Sequence, residues 1–114
     1  MSHAILVVDD EERLADVLAA ALEDLGYRAT AVTSAQAALA ALEQTRFDLV
    51  LTDLRLPAMD GRGLLREVRG RWPELPVVIV TAFAAVRDAV ELVKEGAFDY
   101  IAKPFEIEDV AATI

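Results

Sequence analysis

The chain has 114 residues, 55% hydrophobic and 27% charged, with a net charge of −9 and no cysteine. Those totals fit a single domain with one core and exclude disorder, a disulfide framework and a thiolate metal site. His3 is the only histidine, which leaves zinc almost no ligands. No apolar run approaches the about 20 residues of a membrane span, and the acidity argues against a direct grip on nucleic acid.

Ala4 to Val8 is a compact apolar run, read as a first strand, and it ends abruptly in Asp9-Asp10-Glu11-Glu12. Leu14, Val17, Leu18, Ala21, Leu22 and Leu25 then recur at helical spacing, with Gly26 as a C-terminal cap. Tyr27 to Val32 alternates weakly and predicts a second strand, at an edge. Ser34 caps a second helix whose stripe is Ala38, Leu39 and Leu42. Leu49, Val50 and Leu51 predict a strand buried on both faces, which leaves through Asp53 into a loop marked by Pro57 and Asp60-Gly61. Leu64, Leu65 and Val68 share one face of a third helix that stops before Pro73.

Val77 to Val80 is a fourth strand ending in Thr81-Ala82, and a fourth helix carries Val86, Ala89, Val90 and Val93 ahead of Gly96. Phe98 to Ala102 is a fifth strand running into Lys103-Pro104. Ile107, Val110, Ala111 and Ile114 begin a fifth helix that the end of the chain cuts short. Strands alternating with helices imply a parallel sheet with right-handed crossovers and helices on both faces. A closed barrel takes about 250 residues, so the open sheet is expected. The fold predicted is α/β, flavodoxin-like and doubly wound, with five parallel strands in the order 2-1-3-4-5.

In that order the ligand crevice lies between strands one and three, where the winding reverses. Asp9, Asp10 and Asp53 leave those two strands, and Thr81 and Lys103 leave the next two. Singly, each has an ordinary explanation, as a helix cap or a solvated charge. Together they place three carboxylates, a hydroxyl and an ammonium group at one end of the sheet. Like charges so close repel, and an oxygen-only set favours Mg²⁺ as the ion that relieves them. Lys103 supplies a point charge to an anion beside that metal, and Thr81 a hydrogen bond. The site reads as Mg²⁺ with a phosphoryl group, and a carboxylate stands ready as nucleophile.

These residues carry a resemblance to a known family. Asp9-Asp10, Asp53 followed by Leu56-Pro57-Ala58-Met59-Asp60-Gly61, Thr81-Ala82 and Lys103-Pro104 resemble the receiver domain of bacterial two-component response regulators, across the whole chain. The resemblance implies that Asp53 is the phosphoacceptor. It implies that Asp10, Asp53 and the backbone carbonyl of Arg55 hold Mg²⁺, with Asp9 acting through water. Thr81, Lys103 and the backbone N–H of Ala82 would contact the phosphoryl oxygens. Tyr100 falls at the aromatic switch position, paired with Thr81, and the Lys103-Pro104 bond would be cis. The run from Lys94 to Phe105 is similar to receivers of nitrogen-regulation-type AAA+ transcription activators.

By that resemblance residues 1–114 form one receiver domain, without its AAA+ and/or DNA-binding output domain. The expected function is a cytoplasmic switch phosphorylated by a sensor histidine kinase, regulating transcription. It would not be an enzyme beyond its own phosphorylation and slow autodephosphorylation. A homodimer through helix four, strand five and helix five is implied, without contact to nucleic acid or membrane. A haloacid-dehalogenase-type phosphatase also uses a strand-end Asp, but needs an acid where this chain has Arg55. A flavin or dinucleotide carrier needs a phosphate-cradling loop after strand one, where this chain has four acids. A protein-binding module on the same fold has no use for the full polar set.

Overall fold

The computed structural model describes residues 3–54, 56, 59, 61–81, 91 and 93–102, with Thr81, Asp99, Tyr100 and Ala102 described by their backbone alone. The apolar runs form five strands: β1 (Ala4–Val8), β2 (Arg28–Val32), β3 (Leu49–Asp53), β4 (Val77–Thr81) and β5 (Asp99–Ala102). The helical repeats form α1 (Glu12–Asp24), α2 (Ala35–Gln44) and α3 (Gly61–Arg71). All four pairings are parallel and the order is β2-β1-β3-β4-β5, as the sequence predicts. The fifth helix and most of the fourth helix's stripe, Val86, Ala89 and Val90, lie outside the described residues.

Successive residues of a strand point to opposite faces, and here both faces are apolar. Ile5, Val7, Leu49, Leu51, Val78 and Val80 pack under α1. Leu6, Val8, Val50, Val77 and Ile79 pack under α2 and α3. Helices therefore cover both sides, which is why these strands read as continuous apolar runs. Edge strand β2 has no fully buried residue, and its alternation is accordingly weak.

The helix boundaries follow local chemistry. Ser34 caps α2, its hydroxyl accepting from Ala37 N at 3.1 Å. Gly26 stops α1 in the left-handed region at φ 98°, where a Cβ would be strained. One expectation needs correcting: Val17 is 65% exposed and Leu25 49%, although both fit the helical spacing. The stripe of α1 that meets the sheet is Ala15, Leu18, Ala19 and Leu22. Its two alanines let the helix backbone sit close to the strands, so only a narrow face is covered. Val17 lies about 100° around the axis from Leu18, and Leu25 falls on the C-cap, past the last helical turn.

Candidate functional site

The registers place Val8 beside Thr52, one residue before Asp9 and Asp53, and set Asp53 beside Val80 on the other side. Both acids therefore emerge at the carboxyl edge of the sheet. They flank the point where the chain winds left to β2 or right to β4, the position at which open α/β sheets bind ligands. Asp9 is 6% exposed, Asp53 half-buried and Asp10 exposed. One carboxylate oxygen from each of the three lies within 4.8 Å of the others. An all-oxygen donor set at that separation fits a hard divalent cation.

The backbone around these carboxylates is fixed. Asp9 N donates to Val32 O at 3.2 Å, and Asp9 Oδ1 accepts from Glu11 N at 3.0 Å. That turn ties Asp9 to the start of α1, whose N-cap, Glu11, makes no side-chain cap bond of its own. Thr52, wholly buried, donates its hydroxyl to Asp53 O at 3.0 Å. Leu54 N donates to Val80 O at 3.1 Å, so the chain stays on the sheet for one residue past Asp53.

Gly61 contributes a feature that the sequence reading took only for a turn signal. Its N–H donates to Leu54 O at 2.8 Å, which closes the loop between β3 and α3 onto the strand end. A Cβ at Gly61 would stand 2.3 Å from Asp53 O and 2.8 Å from Leu54 Cα. Only glycine permits that approach, so residue 61 helps set the position of the Asp53 backbone. The Asp60-Gly61 pair was the available signal, but a turn glycine and a contact glycine look alike in sequence.

Of the remaining expected site residues, the backbone of Thr81 ends β4 and is paired with Ala102 of β5. Lys103 is the next residue in the chain, and Tyr100 pairs with Ile79. Arg55, Ala82, Lys103 and Pro104 lie outside the described residues, as do the side chains of Thr81 and Tyr100. An open groove of about 710 Å³ lies at the other end of the sheet, lined by residues that include Phe47, Asp48, Trp72 and Pro76. It shares no residue with the acidic cluster. Its Arg71 is engaged with Glu43 and over the Trp72 ring, 4.5 Å from the centroid, so size alone does not make it the chemical site.

Residues 5–114 match the family model described as response regulator receiver domain. The chain belongs to that family. It is a receiver domain of the kind found in two-component response regulators, and relatives of it are transcriptional regulators. It is 44% identical over 106 residues to the response regulator protein FleR of Pseudomonas aeruginosa, covering 93% of this chain and 22% of that one. It is 41% identical over 110 residues to the transcriptional regulatory protein ZraR of Escherichia coli, covering 96% and 25%. It is 40% identical over 110 residues to the DNA-binding transcriptional regulator NtrC of Salmonella typhimurium, covering 96% and 24%. The chain thus spans about a quarter of the length of these curated relatives.

Among solved structures, the receiver domain of the Francisella response regulator 1452 superposes with a TM-score of 0.92 at 28% identity, covering 97% of this chain and 92% of that one. The receiver domain of NtrX from Brucella abortus superposes with a TM-score of 0.88 at 37% identity, covering 95% and 92%. Among the described residues no helix is long and apolar enough to cross a membrane.

Proposed function

We propose that this receiver is a phosphorylation-activated switch in which Asp53 accepts a phosphoryl group from a sensor histidine kinase. The observation that carries the reading is the convergence of the Asp9, Asp10 and Asp53 carboxylates within 4.8 Å, at the reversal point of a receiver fold. An Asp53 carboxylate oxygen forms the new bond to phosphorus, the bond from phosphorus to the donor histidine nitrogen breaks, and the imidazole leaves with a proton. Asp10, Asp53 and the backbone carbonyl of Arg55 would hold Mg²⁺, with Asp9 acting on it through water. Bound Mg²⁺ offsets the charge that gathers on the acidic cluster and on the transferring group. Thr81, Lys103 and the Ala82 N–H take the phosphoryl oxygens. The added charge and acceptors draw Thr81 toward the site, and Tyr100 takes the vacated space.

The chain's only chemistry is on itself, by autophosphorylation from the donor and slow autodephosphorylation, in which water takes the phosphoryl group and inorganic phosphate leaves. The relatives are transcriptional regulators about four times as long. That supports an AAA+ and/or DNA-binding output under the control of this receiver, in the cytoplasm. The exposed Val93 and Phe98, 51% and 62% accessible, support a homodimer through the face formed by β5 and its flanking helices.

The test is incubation with Mg²⁺ and acetyl phosphate followed by intact mass measurement of the chain and of Asp53→Asn. A gain of one phosphoryl group that Asp53→Asn loses is expected. Phosphorylation that persists in Asp53→Asn, or none in the unaltered chain, refutes the assignment. Fast turnover of the donor without a lasting adduct would point to a phosphatase instead.

A further inference from the structure

Among the described residues two polar side chains are buried, Asp9 and Thr52. Both stand at the site: Asp9 belongs to the acidic cluster, and Thr52 immediately precedes Asp53 on β3. Thr52 pairs in register with Val8 of β1 and Ile79 of β4. Its side chain therefore shares the face on which Val8, Val50 and Ile79 form core. Valine has the same shape and would serve burial there, whereas a hydroxyl in such surroundings costs free energy unless it is bonded.

The bond it makes falls on one peptide unit. Thr52 Oγ1 donates to Asp53 O at 3.0 Å, and the N–H of that same peptide, on Leu54, donates to Val80 O at 3.1 Å. The N–H and C=O of a trans peptide point opposite ways. With the N–H turned to β4, the Asp53 carbonyl turns toward β1, whose exit carries Asp9 and Asp10. Val8 and Thr52 are the last register pair of β1 and β3, so this carbonyl lies one residue past that ladder. Gly61 closes against it, since a Cβ there would come within 2.3 Å of Asp53 O. The peptide is held at its N–H by the sheet and at its C=O by the Thr52 hydroxyl.

We infer that Thr52 is a positioning residue for Asp53: its buried hydroxyl fixes the Asp53–Leu54 peptide, and through it the direction in which the Asp53 carboxylate leaves the strand. The inference rests on the metal and phosphoacceptor reading above and adds a residue to it. The three carboxylates reach within 4.8 Å of one another, a spacing that a divalent cation uses and that like charge opposes. Rotation about the Asp53 Cα–C bond, driven by that repulsion, would carry the carboxylate away from Asp9 and Asp10. A peptide pinned at both ends resists the rotation, so less ordering is left for the cation to impose when it binds. The hydroxyl also draws on the carbonyl lone pair, whose negative end faces the exit of β1.

Thr52→Val keeps the shape and removes the hydroxyl, whereas Thr52→Ser keeps the hydroxyl and leaves a methyl-sized void. Metal-free Tm and Mg²⁺ affinity are measured on both variants and on the unaltered chain, by calorimetric melting and titration. Thr52→Val should bind Mg²⁺ about threefold to tenfold more weakly, the span that one neutral hydrogen bond supplies. Thr52→Ser should melt lower because of its void and yet bind Mg²⁺ like the unaltered chain. The rate of phosphoryl gain from acetyl phosphate at saturating Mg²⁺ should follow the hydroxyl in the same way. Unchanged Mg²⁺ affinity in Thr52→Val, or affinity that falls with Tm so that Thr52→Ser binds more weakly, overturns the positioning role. An unaltered chain that binds Mg²⁺ but gains no phosphoryl group refutes the phosphoacceptor reading instead, and the Mg²⁺ ranking of the two variants still decides for or against Thr52. An unaltered chain that binds no Mg²⁺ overturns both.

Discussion

Replacing Gly61 with Ala tests whether the loop after β3 positions Asp53, the proposed phosphoacceptor. The new Cβ would lie 2.3 Å from Asp53 O and 2.8 Å from Leu54 Cα. Non-bonded carbons are comfortable near 3.5 Å, so about 1 Å must open. Both neighbours are backbone and cannot rotate away. Overpacking of this kind costs about 1–3 kcal/mol. Weakening the 2.8 Å bond from Gly61 N to Leu54 O adds about 1 kcal/mol. Against this, Ala gains about 1 kcal/mol over Gly in a helix, which leaves a net loss of about 1–3 kcal/mol.

For a domain of this size that loss corresponds to a fall in Tm of about 5–10 °C. Gly70 on the same helix provides the control, since a Cβ there meets nothing within 4 Å. Gly70→Ala should stabilise by about 0.5–1 kcal/mol. The functional consequence separates positioning from bulk stability. Displacing Leu54 and the Asp53 carbonyl moves the Asp53 carboxylate out of the cluster, so Mg²⁺ affinity at a temperature well below Tm should fall several-fold in Gly61→Ala and stay constant in Gly70→Ala. Calorimetric melting and Mg²⁺ titration measure both effects. A Gly61→Ala chain as stable as the original, or one that melts early yet binds Mg²⁺ unchanged, refutes the reasoning.

Two further outcomes are expected. Asp10→Asn should weaken Mg²⁺ binding while raising the Tm of the metal-free chain, because one of three mutually repelling carboxylates is gone; equal Mg²⁺ affinity by titration would remove Asp10 from the site. Beryllofluoride should strengthen a homodimer that Phe98→Ser weakens, since Phe98 is 62% exposed beside β5; sedimentation velocity showing the same mass in every case would count against that face.

Much of this molecule follows from one-dimensional pattern. Ile5 to Val8, Leu49 to Leu51 and Val77 to Val80 are apolar at every position because helices cover both faces of the sheet. That continuity, with helical repeats between the runs, determined the parallel sheet, and the order 2-1-3-4-5 was expected as a common one for five such strands. The strand order in turn predicted that Asp9, Asp10 and Asp53 meet, since residues leaving the strands on either side of a winding reversal share one crevice. Other features depend on distances between segments far apart in the chain, and no local spacing encodes those. Val17 and Leu25 satisfy the helical repeat as well as Leu18 does, but the close seat of Ala15 and Ala19 on the sheet decides which residues are covered. Gly61 reads as a turn residue until packing brings it against the Asp53 carbonyl. Arg62, Arg66, Glu91 and Glu95 carry no sign in their local spacing that they meet. They pair only because α3 and the segment before β5 lie side by side on one face of the sheet, where charges 29 residues apart in sequence come within 3.1 Å.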